Sequence, residues 1–437
     1  MQGNQKTYSR QIWSIYWGHR RNRWVVRLLG MFVFVAIFGD FIANERPLYA
    51  KIDGQKSFPV LKSIAIKWNL HAADAQDFNQ DWKNLEYEAV HFPLIPYSAN
   101  TIDRDNMRLV SPTGTQQLKS WRWRHWLGTD EIGKDMAAGL IQGTQTAMLV
   151  GLIAMSIATL LGLFFGLLAG YYGDDRLSCQ ILQVILPILS LPLAWFYGFT
   201  TRHYALQEGP FFPQLVWSLL IFLGFVSLAY LLGTILSRIP FLQKKISLPL
   251  DTMIMRLVEV VNSLPGLLLI LAFLAILDEA SIIYVMVVIG LISWTSITRF
   301  IRAELLKIRD MEYIQAARIM GFSDLRILFR HALPNGLRPV LITLSFGMAG
   351  AILLEAFLSF LGIGLPVDTV TWGSLMRKIQ TNASTGAWWI AVFPGMAIFT
   401  TVSLFNLIGE GLSDALDPQQ GKSLMFWKKK PSKTKTS

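Results

Sequence analysis

The chain has 437 residues, 52% hydrophobic and 16% charged, with 40 Lys and Arg against 29 Asp and Glu. It is too apolar for an ordinary soluble domain and too long for one core, and several stretches reach the roughly 20 residues that a helix needs to cross a bilayer. The net charge of +11 fits the basic cytoplasmic loops of a polytopic membrane protein better than a nucleic-acid surface, so no nucleic-acid partner is expected. One cysteine, Cys179, excludes an intrachain disulfide. The histidines at 19, 71, 91, 125, 203 and 331 lack metal-ligand spacing, so neither a metal nor a cofactor is expected.

In chain order, a basic arm with Lys6, Arg10, Arg20, Arg21 and Arg23 leads into a first apolar run. No small-residue cleavage site follows it, so residues 1–43 are expected to be a cytoplasmic arm and an uncleaved membrane helix. Candidate spans lie at about 24–43, 145–171, 178–200, 214–236, 254–277, 281–299, 338–362 and 387–412. Eight spans put both termini on one side. The arm, the Arg238–Lys244–Lys245 segment, the loop after Thr298 and the tail 419–437 are the basic stretches, so that side is expected to be the cytoplasm. Pro187 and Pro192 predict a kink in the third span.

Between the first two spans, residues 44–137 form a long extracytoplasmic segment with Trp68, Trp82, Tyr87, Tyr97, Trp121, Trp123 and Trp126. It is expected to be a small folded cap, with short strands possible around Phe58-Pro-Val-Leu. Gly128 to Asp135 reads GxxxxGK followed by Asp. A phosphate loop needs Ser or Thr there and a strand before it, and Asp135 would repel phosphate. With no other phosphate loop in the chain, energy from ATP must come through a partner.

Glu355 lies inside the apolar run Ala351-Ile-Leu-Leu-Glu-Ala-Phe-Leu. An intramembrane acid is costly and is either functional or bonded to neighbours in the bundle interior. A proton-coupled carrier would need several such groups, and this chain offers essentially one.

Tyr313 to Pro334, YIQAARIMGFSDLRILFRHALP, is a polar, basic stretch between two very hydrophobic ones. Tyr313 to Met320 suits a helix whose Ala316 and Ala317 leave room for another backbone. Gly321 suits the position just past its end. Ser323 is expected to cap a second helix, Asp324 complements its positive end, and Pro334-Asn335-Gly336 is expected to stop it. The outcome is a helix–turn–helix elbow on the cytoplasmic side.

Gln315-Ala316-Ala317, Gly321 and Leu333-Pro334 resemble the EAA loop of binding-protein-dependent ABC importer permeases. His125-Trp-Leu-Gly128-Thr129-Asp130-Glu-Ile-Gly133-Lys-Asp135 is similar to the HPLGTDxxGRD segment of the C-type permease subunit of dipeptide and oligopeptide importers. Gly166–Gly173, Phe329–Asn335, Leu353–Gly364 and Asn406–Pro418 match that family in the same order. Gln315 stands where the family has Glu, so one charge expected at the ATPase contact is absent. Trp126 replaces a Pro, and Lys134 an Arg.

The resemblance implies an all-α polytopic fold with a MetI-like type I ABC importer permease core, comprising 138–173 and 251–418 with the coupling loop at 304–337. It sets 174–250 apart as an inserted segment expected to hold two spans and makes 44–137 an enlarged extracytoplasmic loop. The implied function is ATP-driven peptide import across a bacterial inner membrane by a non-catalytic subunit. The implied partners are a second homologous permease, two cytoplasmic ABC ATPase subunits, an extracytoplasmic peptide-binding protein and membrane lipid. Tyr313, Gln315, Ala316, Ala317, Gly321, Asp324, Leu333 and Pro334 would form the ATPase-coupling loop. The aromatic cap and the 125–135 segment are candidates for docking the binding protein. Nickel or another small solute is the competing cargo, and an ATP-independent secondary carrier the competing class.

Overall fold

The computed structural model describes residues 13–52, 54–67, 81–176, 178–209, 211–276, 280–366 and 368–416. Lys6, Arg10, Trp68, His71 and the basic tail 419–437 lie outside the described residues. The chain is an integral membrane protein built on helices, and among the described residues seven are long and apolar enough to span a bilayer. These are α1 (Arg20–Ile42), α2 (Met136–Leu167, prolonged by a wide turn to Tyr172), α3 (Ile181–Trp195, prolonged to Thr200), α4 (Phe211–Leu236), α7 (Ile282–Arg309), α10 (Arg338–Leu361) and α12 (Trp389–Leu416).

The span expected at 254–277 is instead two helices, α5 (Leu250–Ser263) and α6 (Gly266–Ile276), bent by 85°. Pro265 has no N–H to continue the ladder and forces the residue before it out of the helical region; Leu264 is extended, with φ −92° and ψ 137°. The second span starts earlier than expected, at Met136, because the Asp135 carboxylate accepts from the Ala138 N–H at 2.7 Å and caps that end.

The long parallel contact of α2 with α7 is the spine of the bundle. It depends on Gly162, Gly166 and Gly170, spaced one turn apart along α2. A Cβ on each would lie 2.6, 2.7 and 2.8 Å from the Cβ atoms of Ile297, Ile301 and Leu305. Missing side chains thus bring the backbones together, which in lipid replaces the hydrophobic drive that water supplies elsewhere. Val258, Trp294, Ile301 and Leu305 are buried around this seam. α10 and α12 pack together against it, and α1 lies across α2 and α12.

Residues 178–247 leave the bundle through a two-stranded neck, β4 (Ser178–Gln180) antiparallel to β5 (Lys245–Ser247). Beyond it α3 and α4 pack chiefly on each other, with Tyr197 stacked on Phe225 at 5.2 Å and Gly198 close to Ser218 and Phe222. The cap before α2 carries a small sheet of order β2-β1-β3, from β1 (Tyr49–Ile52), β2 (Gln55–Ser57) and β3 (Ala89–His91). The strand anticipated around Phe58 to Leu61 is the start of a helix, Pro59–Lys67. Proline at a first helical position loses nothing, because that N–H has no intrahelical partner.

Candidate functional site

After α7 the chain turns at Asp310 into α8 (Glu312–Ile319) and, past Gly321, into α9 (Asp324–Ile327). Gly321 has φ +79°; its N–H bonds to the Arg318 carbonyl, and the Phe322 N–H to that of Ala317. This paired closure ends α8 with a left-handed residue, a conformation costing other L-residues about 1 kcal/mol. Ser323 sits at the N-cap position of α9, but its hydroxyl makes no cap bond. Asp324 instead accepts from the Tyr171 hydroxyl at 2.8 Å and lies 3.6 Å from the Arg318 guanidinium.

The expected stop at Pro334 does not occur. The chain stays helical through a wide turn, Leu328–Ala332, and a further turn, Leu333–Gly336, into α10. In the wide turn the Leu333 N–H reaches back five residues to the Leu328 carbonyl, which leaves room for the Pro334 ring. Leu333 is half-buried and Pro334 exposed. Asn335 donates to the Tyr313 hydroxyl at 3.2 Å, tying the two arms of the elbow.

The elbow has two unlike faces. Ile314, Ala317, Ile327, Leu328 and Ala332 are buried against Ile301, Leu305 and Ile308 of α7. Ala317 therefore packs inward and is no docking surface, whereas its neighbour Ala316 is exposed. The outer face carries Ile319 at 88% exposure, with Met320, Leu325 and Phe329, between Arg318, Arg326 and Arg330. Exposed Gln315 donates to the Asp310 carbonyl at 3.2 Å. The elbow is braced to the end of α2 by Tyr171. Nearby, Arg302 of α7 makes a bidentate ion pair with Asp251 of α5. Tyr171 lies in a stretch that the sequence resemblance covers, but its bond to a residue 153 positions away has no sequence signal.

The other motif lies at the opposite end of α2. Gly128 and Gly133 take positive φ; between them Thr129 and Asp130 are buried, while Glu131 and Ile132 are exposed. The Thr129 hydroxyl donates to the Asn106 carbonyl and accepts from the Val110 N–H. Asp130 accepts from the Lys134 N–H at 2.7 Å and pairs with Lys378 at 2.6 Å. Asp135, besides capping α2, meets His125 Nδ1 at 2.8 Å, and His125 Nε2 meets Asp103 at 3.2 Å.

Burial alone would lower the His125 pKa, but Asp103 and Asp135 overcome it and hold the imidazole above its usual 6.5. Burial would raise Asp103; hydrogen bonds from His125, Asn106 and Lys83 outweigh it and hold the carboxyl well below the usual range. His125, Thr129, Asp130 and Asp135 thus form an internal clasp joining cap to bundle, leaving Trp126, Glu131 and Ile132 exposed. Outward, Trp121 and Trp126 meet edge to face at 5.6 Å with Arg124 over both rings. Asp103 and Lys378 complete the clasp from 22 and 248 positions away, beyond any local motif.

Glu355 is buried within α10, accepts from the Ser359 hydroxyl and interacts with the Thr371 hydroxyl. Thr371 caps α11 (Trp372–Arg377), a short helix wedged between α2 and α10, where Trp372 donates to the Leu140 carbonyl at 3.1 Å. The acid therefore pins a re-entering helix. Among the described residues no group of His, Cys, Asp and Glu could hold a metal.

Residues 229–422 match the family model of the binding-protein-dependent transport system inner membrane component. A peptide transport system permease of Brucella suis biovar 1 is 43% identical over 169 residues, which are 39% of this chain and 56% of that protein. The match thus spans little more than half the length of that relative. A glutathione transport system permease of Pectobacterium atrosepticum is 28% identical over 75% of this chain and 80% of its own length. For a dipeptide transport system permease of Alkalihalophilus pseudofirmus the figures are 26%, 76% and 81%. A solved inward-facing methionine ABC transporter has a TM-score of 0.41 at 12% identity, covering 64% of this chain and 98% of that one.

Proposed function

We propose, from the match of residues 229–422 to the binding-protein-dependent transport system inner membrane component family, that this chain is the membrane-spanning permease subunit of an ATP-driven importer of peptides. It works with a second homologous permease, two cytoplasmic ATPase subunits and an extracytoplasmic peptide-binding protein. The names of the relatives, which transport peptide, dipeptide and glutathione, support peptide over nickel as cargo. Residues 138–173 and 251–418 form the transport core, with the elbow on the cytoplasmic side and the cap outside.

The observation that carries this reading is the outer face of the elbow. Ile319, Met320, Leu325 and Phe329 stand exposed among arginines on a polar stretch outside the spans. An apolar crest of this kind, rimmed by charge, is a protein-docking surface. The inner face is locked to α7, and Asp324 to Tyr171 of α2, so force on the crest reaches the spine of the bundle. ATPases that grip the crest differently in two nucleotide states would shift the spans between inward- and outward-facing arrangements. The subunit itself makes and breaks no bonds.

In a Cys179→Ser background, Ile319→Cys should crosslink to an ATPase subunit with a short bifunctional reagent, and the yield should change with ATP. No crosslink in any nucleotide state, with the ATPase present and the complex intact, would overturn the coupling role. Exposed Trp121 and Trp126 are the part of the cap suited to receive the binding protein.

A further inference from the structure

The neck of the α3–α4 hairpin holds an open pocket of about 390 Å³, whose lining includes Cys179, Gln180, Gln183, Thr234, Arg238 and Lys245. Arg238, Lys244 and Lys245 are exposed, and none makes an ion pair among the described residues. Between Arg176 and Leu250 the sole acid is Glu208, at the far end of the hairpin. The pocket thus gathers positive charge with no internal counter-ion. It also lies at the N-terminus of α3, where Gln180 is the cap residue, and helix N-termini favour anions. Gln183 and Thr234, hydrogen-bonded to each other at 3.3 Å, add polar groups to its wall.

Its position narrows the anion. The neck adjoins the elbow end of the bundle: Asp174, just before β4, bonds both the N–H and the hydroxyl of Thr252 at the start of α5, and α5 is paired to α7 through Asp251 and Arg302. Directly beyond the cations the hairpin presents Ile235, Leu231 and Leu189 outward, and Phe241 beside the neck is 93% exposed. A cationic pocket at the end of a lipid-facing apolar wall matches an amphiphile with an anionic head. We propose that the neck binds a phosphate group, delivered by an anionic glycerophospholipid whose acyl chains lie along α3 and α4. Juxtamembrane Lys and Arg on the side facing anionic lipid attract such headgroups. Bound there, the lipid bridges the strands of the neck and fixes the hairpin beside the core.

Cys179, the single cysteine of the chain, lines the pocket and reports its occupancy. The full-length chain is reconstituted in nanodiscs of phosphatidylcholine with or without phosphatidylglycerol, and Cys179 alkylation by a soluble maleimide is timed. Phosphatidylglycerol should slow alkylation, and Arg238→Gln/Lys245→Gln should abolish the slowing, with about a thirtyfold loss of selectivity for the anionic lipid. Native mass spectrometry should find phosphatidylglycerol retained by the parent chain and lost from the variant. Monodispersity and an unchanged protease pattern at the elbow check that the variant is folded, and Lys245→Arg, which keeps the charge, should behave as the parent. A parallel arm adds inorganic phosphate in phosphatidylcholine alone. Variant-sensitive protection by phosphate but not by phosphatidylglycerol would keep the phosphate site and assign it to a solute. Equal alkylation in parent and folded variant under every condition would overturn the proposal.

Discussion

At the scale of single residues, buried polar groups do different work at the two ends of the bundle. Glu355 accepts from Ser359 and interacts with the Thr371 hydroxyl that caps α11, so its role is to hold α11. Glu355→Gln should therefore leave ATP-dependent uptake within about threefold of the parent while lowering thermal stability by ~1 kcal/mol. Complete loss of uptake in a stable variant would favour a proton-coupled carrier. His125 faces Asp103 and Asp135, with Lys83 on Asp103 and Tyr97 stacked on the ring. Its folded pKa is raised, so its contribution to stability is full below the unfolded value near 6.5 and is lost as pH rises through the folded pKa. Asp103 is depressed, so its contribution is present above about 3.8 and is lost as pH falls through the folded pKa. The cap should resist trypsin best between these limits. His125→Ala, which leaves two buried carboxylates facing each other, should cost roughly 3 kcal/mol and remove the alkaline limb. An unchanged pH profile of cleavage would contradict the clasp. His125 and Asp135 stand ten apart in one motif and were legible as candidates. Their purpose was not, because Asp103 and Lys378 reach them only through the fold.

At the scale of elements, the α2–α7 seam and the elbow are one mechanical unit. Gly166→Val would place atoms where Ile301 already packs, forcing the helices apart at a cost of at least about 2 kcal/mol. Loss of the monodisperse chain, or a marked drop in melting temperature in detergent, is the expected result; parent-like melting would deny the seam its role. The elbow was legible in outline because Gly321 and Ala316-Ala317 are local signals. Two details were not. Ala317 faces inward because the helix phase is set by α7, and Pro334 fails to stop the helix because a wide turn absorbs its missing N–H. The break at Pro265 follows the same chemistry with the opposite result: without such a turn, the chain bends by 85°.

At the scale of the whole molecule, the α3–α4 hairpin is separable in a way the cap is not. Its helices pack mainly on each other and its neck strands lie side by side, so their ends are only about 5 Å apart. Replacing 178–247 with a short Gly-Ser linker should leave insertion and thermal unfolding of the rest nearly unchanged, measured by fluorescence-detected size exclusion. A chain that no longer inserts would make the hairpin part of the core. The apolar spans and the family motifs were legible in the sequence alone, because bilayer thickness and the cost of unpaired backbone leave helices as the solution for such runs. Only the tertiary structure decided which face of the elbow is free, that Glu355 is matched, that His125, Asp130 and Asp135 are buried in a clasp, and that unpaired cations meet at the hairpin neck. Each depends on contacts between residues far apart in the chain, and only the packing of the helices brings those partners together.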